Sequence, residues 1–210
     1  MKDLSPIVYI VDDDNGVRSS IRVLMKSIGL PAITFASARE FLAAYNPLMA
    51  GCIVLDIRMP GMSGLDLQEA LNERGAVIPV IFVTGHGDVP MAVEAMRHGA
   101  FDFLQKPFRD QDLIDRVQQA LTRDSETRRE LKEHGRIRAR IASLTPRERE
   151  VLDLLTVGKA NKSMAQDLGL SQRTVEIHRA HVMEKMEARS VAQLVRMVMD
   201  LDSHEPPTRT

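Results

Sequence analysis

The chain has 210 residues, enough for one or two domains of ordinary size, and its 44% hydrophobic content is enough for globular cores. No apolar run reaches the length of a membrane span, and the amino terminus MKDLSPIVYI lacks the charged region, long apolar stretch and cleavage site of a secretory signal, so a cytoplasmic protein is expected. The net charge of −1 is unevenly spread: residues 1–121 carry 11 Lys+Arg against 15 Asp+Glu, residues 122–144 carry 7 against 4, and residues 145–210 carry 10 of each, so the front is acidic and the middle basic.

In chain order, apolar runs alternate with amphipathic stretches. IVYIV is followed by a helical pattern around 15–28, AITF by one around 37–45, CIVL (52–55) by one near 65–74, VIFV (80–83) by one near 89–98, and FDFL (101–104) by one near 109–121. Five short strands alternating with five helices predict a flavodoxin-like, doubly wound α/β domain whose parallel sheet is covered on both faces. Cys52 in GCIVLD reads as a buried strand thiol, and the methionines read as core filler.

In such a sheet ligands bind beyond the carboxyl ends of the strands. The residues there are chemically matched: Asp12 and Asp13 after the first strand, Asp56 after the third, Thr84 at the fourth, Lys106 just after the fifth. Carboxylates crowded together raise one another's pKa and cost stability unless a cation compensates. Three carboxylates, a hydroxyl and an ammonium suit a divalent cation such as Mg²⁺ together with a phosphoryl group. Asp14 reads as a solvated residue or a helix cap.

VDDD, VLDIRMPGMSGLD, VTGHGD and FDFLQKPF, in this order, resemble the receiver domain of two-component response regulators. The resemblance implies that Asp56 is the phospho-acceptor, that Asp12, Asp13 and Asp56 bind Mg²⁺ with the backbone carbonyl of Arg58, and that Thr84 and Lys106 grip the phosphate. It further implies that Thr84 and Phe103 move as a switch, and that the Lys106–Pro107 bond is often cis. His86 in TGHGD reads as a structural loop residue that at most tunes dephosphorylation. A flavodoxin-like or phosphatase-like enzyme is the competing reading, but the first strand is followed by acid rather than by a Gly/Ser/Thr-rich phosphate loop.

Residues 122–143 are charge-rich with apolar residues at near-helical spacing, which predicts a helical linker despite Gly135. Thr145, Pro146 and Glu148 combine an N-cap hydroxyl, proline at the first helical position and a capping-box glutamate, a helix start. A short helix from Asn161, a glycine-containing turn at Leu168–Ser171 and a further helix beginning at Gln172 match a helix-turn-helix.

From LTPREREVL to VAQLVRM the sequence resembles the four-helix LuxR-type DNA-binding domain, in the FixJ-like branch. The resemblance implies that Val175 and Val182 anchor the recognition helix and that Thr174, Glu176, His178, Arg179 and His181 face promoter DNA. Glu176 as a reader of cytosine and Glu176 as a solvated side chain stay open, and His178 with His181 has a metal-like spacing without a visible third ligand. The domains expected are a receiver at 1–121, the linker, an all-α DNA-binding domain at 144–202 and a flexible tail at 203–210. Together the resemblances imply a phosphorylation-activated transcriptional regulator rather than a conventional enzyme. Its implied partners are a sensor histidine kinase, promoter DNA, RNA polymerase and, on phosphorylation, a second copy paired through Val93, Met96 and Arg97; Val93 and Met96 at that spacing would equally suit a core. A receiver that acts without phosphorylation is the remaining alternative.

Overall fold

The computed structural model describes residues 5–85 and 89–202. His86 and the segment 203–210 lie outside the described residues. The chain divides into two compact units, Met1–Arg129 and Glu130–Thr210.

The first unit is built on β1 (Ile7–Val11), β2 (Ala32–Phe35), β3 (Gly51–Leu55), β4 (Val80–Thr84) and β5 (Asp102–Gln105). They form one parallel sheet in the order β2-β1-β3-β4-β5. Alternation along each strand sends side chains to two cores. Tyr9, Val11, Ile53, Leu55 and Phe82 pack against α2 (Ala38–Ala44), α3 (Gly64–Glu73) and α4 (Val89–Arg97). Val8, Ile10, Cys52, Val54, Ile81 and Val83 pack against α1 (Asn15–Ser27) and the start of α5 (Asp110–Ala142). Because β3 and β4 are buried on both faces, they carry no polar alternation, which is why CIVL and VIFV read as unbroken apolar runs. Cys52 sits in this core, and burial pushes its thiol up to about 12, so it is an unreactive strand thiol.

Helix α5 continues without interruption through Gly135 to Ala142. The bonds of the first unit run along it past the expected edge at residue 121. Buried Asp124 accepts from the Gly51 amide at 2.9 Å and pairs with Arg128 at 2.8 Å, while Arg128 also donates to the Pro47 and Met49 carbonyls.

The second unit contains α6 (Pro146–Thr156), α7 (Asn161–Leu168), α8 (Gln172–Lys185) and α9 (Val191–Asp202). The Thr145 hydroxyl accepts from the Glu148 amide, and the Glu148 carboxylate accepts from the Thr145 amide at 2.8 Å, so the capping box predicted from the sequence is formed. Gly169, at φ 65°, closes α7 in the left-handed conformation that makes the tight turn possible. Ile137, Leu152, Leu155, Met164, Val175, Val182, Met186 and Leu194 form the core. Val175 and Val182 are seven residues apart, two turns along one face of α8, and both are fully buried.

Candidate metal centre and nucleic-acid interface

Parallel register aligns the strand ends. Val11 pairs with Leu55 and Leu55 with Phe82, while Thr84 pairs with Gln105. Ladder-type bonds continue one residue further: the Asp56 amide donates to the Val11 carbonyl at 2.8 Å, and the Lys106 amide to the Thr84 carbonyl at 2.9 Å. Asp12, Asp56, Thr84 and Lys106 are thus placed by backbone bonds rather than by flexible loops. The Lys106–Pro107 bond is cis.

One carboxylate oxygen from each of Asp12, Asp13 and Asp56 lies within 4.8 Å of the others. Lys106 Nζ donates to Asp12 Oδ2 at 2.7 Å and stands 3.6 Å from Asp56 Oδ1, so it partly neutralises the cluster. The buried Thr84 hydroxyl donates to the Asp56 carboxylate. Burial is the main cause that raises the Asp56 pKa above its ordinary value, Lys106 and Thr84 pull the other way, and Asp12 and Asp13 push it up further. Oxygen donors with excess negative charge are what a hard divalent cation such as Mg²⁺ requires, so the three aspartates fit that ion. Asp13 is exposed and leaves the cluster open to solvent, whereas Asp12 and Asp56 are buried.

Neighbouring positions divide by role. Asp14 is the N-cap of α1, with Oδ1 accepting from the Gly16 amide at 2.6 Å and the Val17 amide at 3.1 Å, and these bonds hold its pKa low. Arg58 is exposed in the loop after β3, two residues beyond Asp56, and Phe103 is half-buried in β5 against the core. Val93 (44% exposed) and Met96 (47%) are not core residues: with exposed Arg97 they form an apolar surface strip on α4.

Sequence reading did not single out Gly64, although it lies in the quoted MPGMSGLD. A Cβ there would stand 2.3 Å from the Asp56 carbonyl oxygen and 3.0 Å from Ile57 Cα. Gly64→Ala is therefore expected to cost roughly 1–3 kcal/mol by forcing backbone apart. A urea midpoint equal to wild type would rule this out.

In the second unit the five candidate readers do not share one face. Glu176 and His181 are exposed, whereas Thr174, His178 and Arg179 are half-buried. The Thr174 hydroxyl is shared with Ser171, the α8 N-cap, at 2.8 Å. Arg179 Nη1 donates to Asn161 Oδ1 at 2.9 Å and so ties α8 to the first residue of α7. His178 Nδ1 is buried with no hydrogen-bond partner, and His181 Nδ1 stands 3.6 Å from the Glu148 carboxylate. Arg173, Glu176, Ile177, Ala180 and Glu184, at helical spacing, form an exposed stripe of α8, with Ile177 49% exposed. Arg173 and Ile177 are exposed although neither is among the five candidates, because which face of a helix is exposed is decided by its packing partners.

Glu148 fastens the other end of α8. Lys185 Nζ donates to its carboxylate at 2.6 Å, and this bond, with the capping bonds from Thr145, lowers its pKa to about 2 from an ordinary 4.5. A carboxylate depressed on folding contributes stability above its unfolded pKa and loses it as pH falls through the folded value. Opening of α6 and α8, read by amide hydrogen exchange, is expected to increase between about pH 4.5 and 2 in the wild type, and to lose that pH dependence in Glu148→Gln. Identical profiles for the two chains would refute the assignment.

Among the described residues, no helix is long and apolar enough to cross a membrane. Residues 8–118 match the response regulator receiver domain family, and residues 142–198 match the luxR family of bacterial regulatory proteins. The chain is 52% identical over 192 residues to the transcriptional regulatory protein FixJ of Azorhizobium caulinodans, with 91% of each chain covered. It is 48% identical to nodulation protein W of Bradyrhizobium diazoefficiens, over 91% of this chain and 84% of that one. Among solved structures it resembles the response regulator StyR at a TM-score of 0.85 and 44% identity, covering 93% of this chain and 99% of that one. It also resembles full-length FixJ from B. japonicum at a TM-score of 0.58 and 40% identity, covering 95% and 98%. With an α/β unit carrying an aspartate triad at its strand ends and a helix-turn-helix unit following it in the sequence, the chain belongs to the transcriptional response regulators of two-component systems, those that join a receiver to a LuxR-family DNA-binding domain.

Proposed function

We propose that Asp56 is the phospho-acceptor and that phosphorylation controls promoter binding through receiver pairing. The observation that carries this reading is the convergence of three carboxylates within 4.8 Å with the Lys106 ammonium 2.7 Å from one of them. An Asp56 carboxylate oxygen attacks phosphorus, the bond from phosphorus to a histidine nitrogen of a sensor kinase breaks, and an acyl phosphate forms on Asp56. Asp12, Asp13, Asp56 and the Arg58 carbonyl would hold Mg²⁺, which would supply positive charge to the transferring group. Lys106 leaves Asp12 for a phosphoryl oxygen, the Thr84 hydroxyl turns from the carboxylate to another, and Phe103 swings inward. Val93, Met96 and Arg97 then pair two receivers.

In the second unit Arg173, Glu176 and Ile177 face the bases, with His181 at the margin. Arg179 serves this surface by fixing α8 on α7, Thr174 by bonding to Ser171, the cap of α8, and His178 packs behind it. RNA polymerase is the downstream partner, the cytoplasm is the site of action, and no small-molecule substrate is turned over beyond phosphotransfer and dephosphorylation. The domains proposed are a receiver, a helical linker and a DNA-binding domain ending near residue 202. Incubation with acetyl phosphate, followed by intact mass, tests the reading: a gain of one phosphoryl group that requires Mg²⁺ supports it, and no gain, or a gain indifferent to Mg²⁺, refutes it.

A further inference from the structure

Two amide side chains of α3 hold the carboxyl end of α4. Gln68, 2% exposed, donates from Nε2 to the Ala95 carbonyl at 3.3 Å and to the His98 carbonyl at 3.2 Å. Asn72, one turn further along α3, donates from Nδ2 to the same His98 carbonyl at 2.8 Å. The last carbonyls of a helix have no donor within it, so outside amides there determine where the helix end rests.

Core stability does not account for the glutamine. Its Oε1 is buried with no hydrogen-bond partner, and a buried acceptor in that condition is destabilising. Around it the core is made of Leu67, Leu71, Ala95 and Ala100, where an aliphatic side chain of similar size would leave nothing unpaired. Neither carbonyl depends on Gln68 alone, because Ala95 also accepts from the Ala100 amide at 3.0 Å and His98 from Asn72. What Gln68 adds is a fixed position for the helix that displays Val93, Met96 and Arg97 on its outer side.

We infer that Gln68 and Asn72 are positioning residues for the output face: they clamp the carboxyl end of α4 in the unphosphorylated arrangement and so oppose pairing without phosphate. The inference rests on the reading of the Val93–Met96–Arg97 strip as the pairing surface. Each bond present only in the resting arrangement adds to the gap that phosphorylation must overcome, and its removal raises the share of pairing-competent chains.

The test uses the full chain with Gln68→Leu, Asn72→Ala and both together, measured by sedimentation with and without acetyl phosphate and Mg²⁺. The double variant is expected to self-associate about tenfold more tightly than wild type without phosphate, with the gain on phosphorylation reduced by the same factor. The level of phosphorylation should not change. Gln68→Leu should keep or raise the urea midpoint, an outcome that a purely structural glutamine would not produce, and Asn72→Ala, an exposed substitution, keeps the test open if Gln68→Leu folds poorly. Unphosphorylated association no tighter than wild type in Asn72→Ala and in the double variant overturns the clamp. If Val93→Asp leaves phosphorylated dimers intact, the pairing surface lies elsewhere, and it is the underlying reading that has failed.

Discussion

Asp56→Asn is expected to abolish the phosphoryl mass gain while the receiver remains folded and its melting temperature at neutral pH rises. Asparagine keeps the shape of the side chain but cannot attack phosphorus as a carboxylate oxygen does. The rise follows from the sign of the charge effect. Asp56 is raised above its ordinary pKa, chiefly by burial, so folding favours its protonated form; the group's contribution is present at low pH and is lost as pH climbs through the folded pKa. Removing the charge should therefore stabilise the receiver near neutrality, and the advantage should vanish in acid, where wild-type Asp56 is itself neutral. Lys106 retains its 2.7 Å bond to Asp12 in the variant, so no ammonium is stranded. Retention of one phosphoryl group per chain by Asp56→Asn would overturn the acceptor assignment, and a lowered melting temperature would show that the pull of Lys106 and Thr84 on the Asp56 carboxylate outweighs the cost of burying it.

Phosphorylation is expected to raise affinity for paired half-sites by about 10²–10⁴-fold at fixed salt, the range in which linking two weak modules operates. On α8 the exposed cations Arg173 and Lys185 are matched by Glu176 and Glu184, and Lys185 is paired with Glu148, so single-domain binding is expected to draw little from phosphate contacts and to need a second copy. Val93→Asp should erase most of the gain, because it sets a charge in the centre of the apolar strip on α4 without touching the phosphorylation site. Within one module, Arg173→Ala and Arg179→Ala should differ in kind. Losing a phosphate or base contact at Arg173 should cost about 1–3 kcal/mol, with altered base preference or a salt slope smaller by about one. Losing the Arg179–Asn161 bond should weaken every site alike, by loosening α8 on α7, with the salt slope unchanged. Phosphorylated wild type that stays monomeric and binds no better would refute the pairing model, and Arg179→Ala that leaves α8 fixed and binding intact would refute the positioning part assigned to it.

The amino-acid sequence determined the order of strands and helices, the two fold classes and the residues at the strand ends. The signals for these are local: β1, β3 and β4 are apolar runs of strand length, and α6 opens on Thr145, Pro146 and Glu148. Once the strands are parallel and paired, backbone register alone brings Asp12, Asp56, Thr84 and Lys106 to one edge, so their chemistry is legible before any packing is known. Tertiary structure decided which faces are free. Val93 and Met96 have the spacing of core residues and turned out to be exposed, whereas Arg179, which has the chemistry of a DNA reader, is half-buried and donates to Asn161. Helical period says which residues share a side but not which side another element covers. The contacts made across long sequence separations were equally invisible: Gly64 against the Asp56 carbonyl, Asp124 on the Gly51 amide and Gln68 on the end of α4 each join segments whose proximity exists only after the sheet and its helices have assembled.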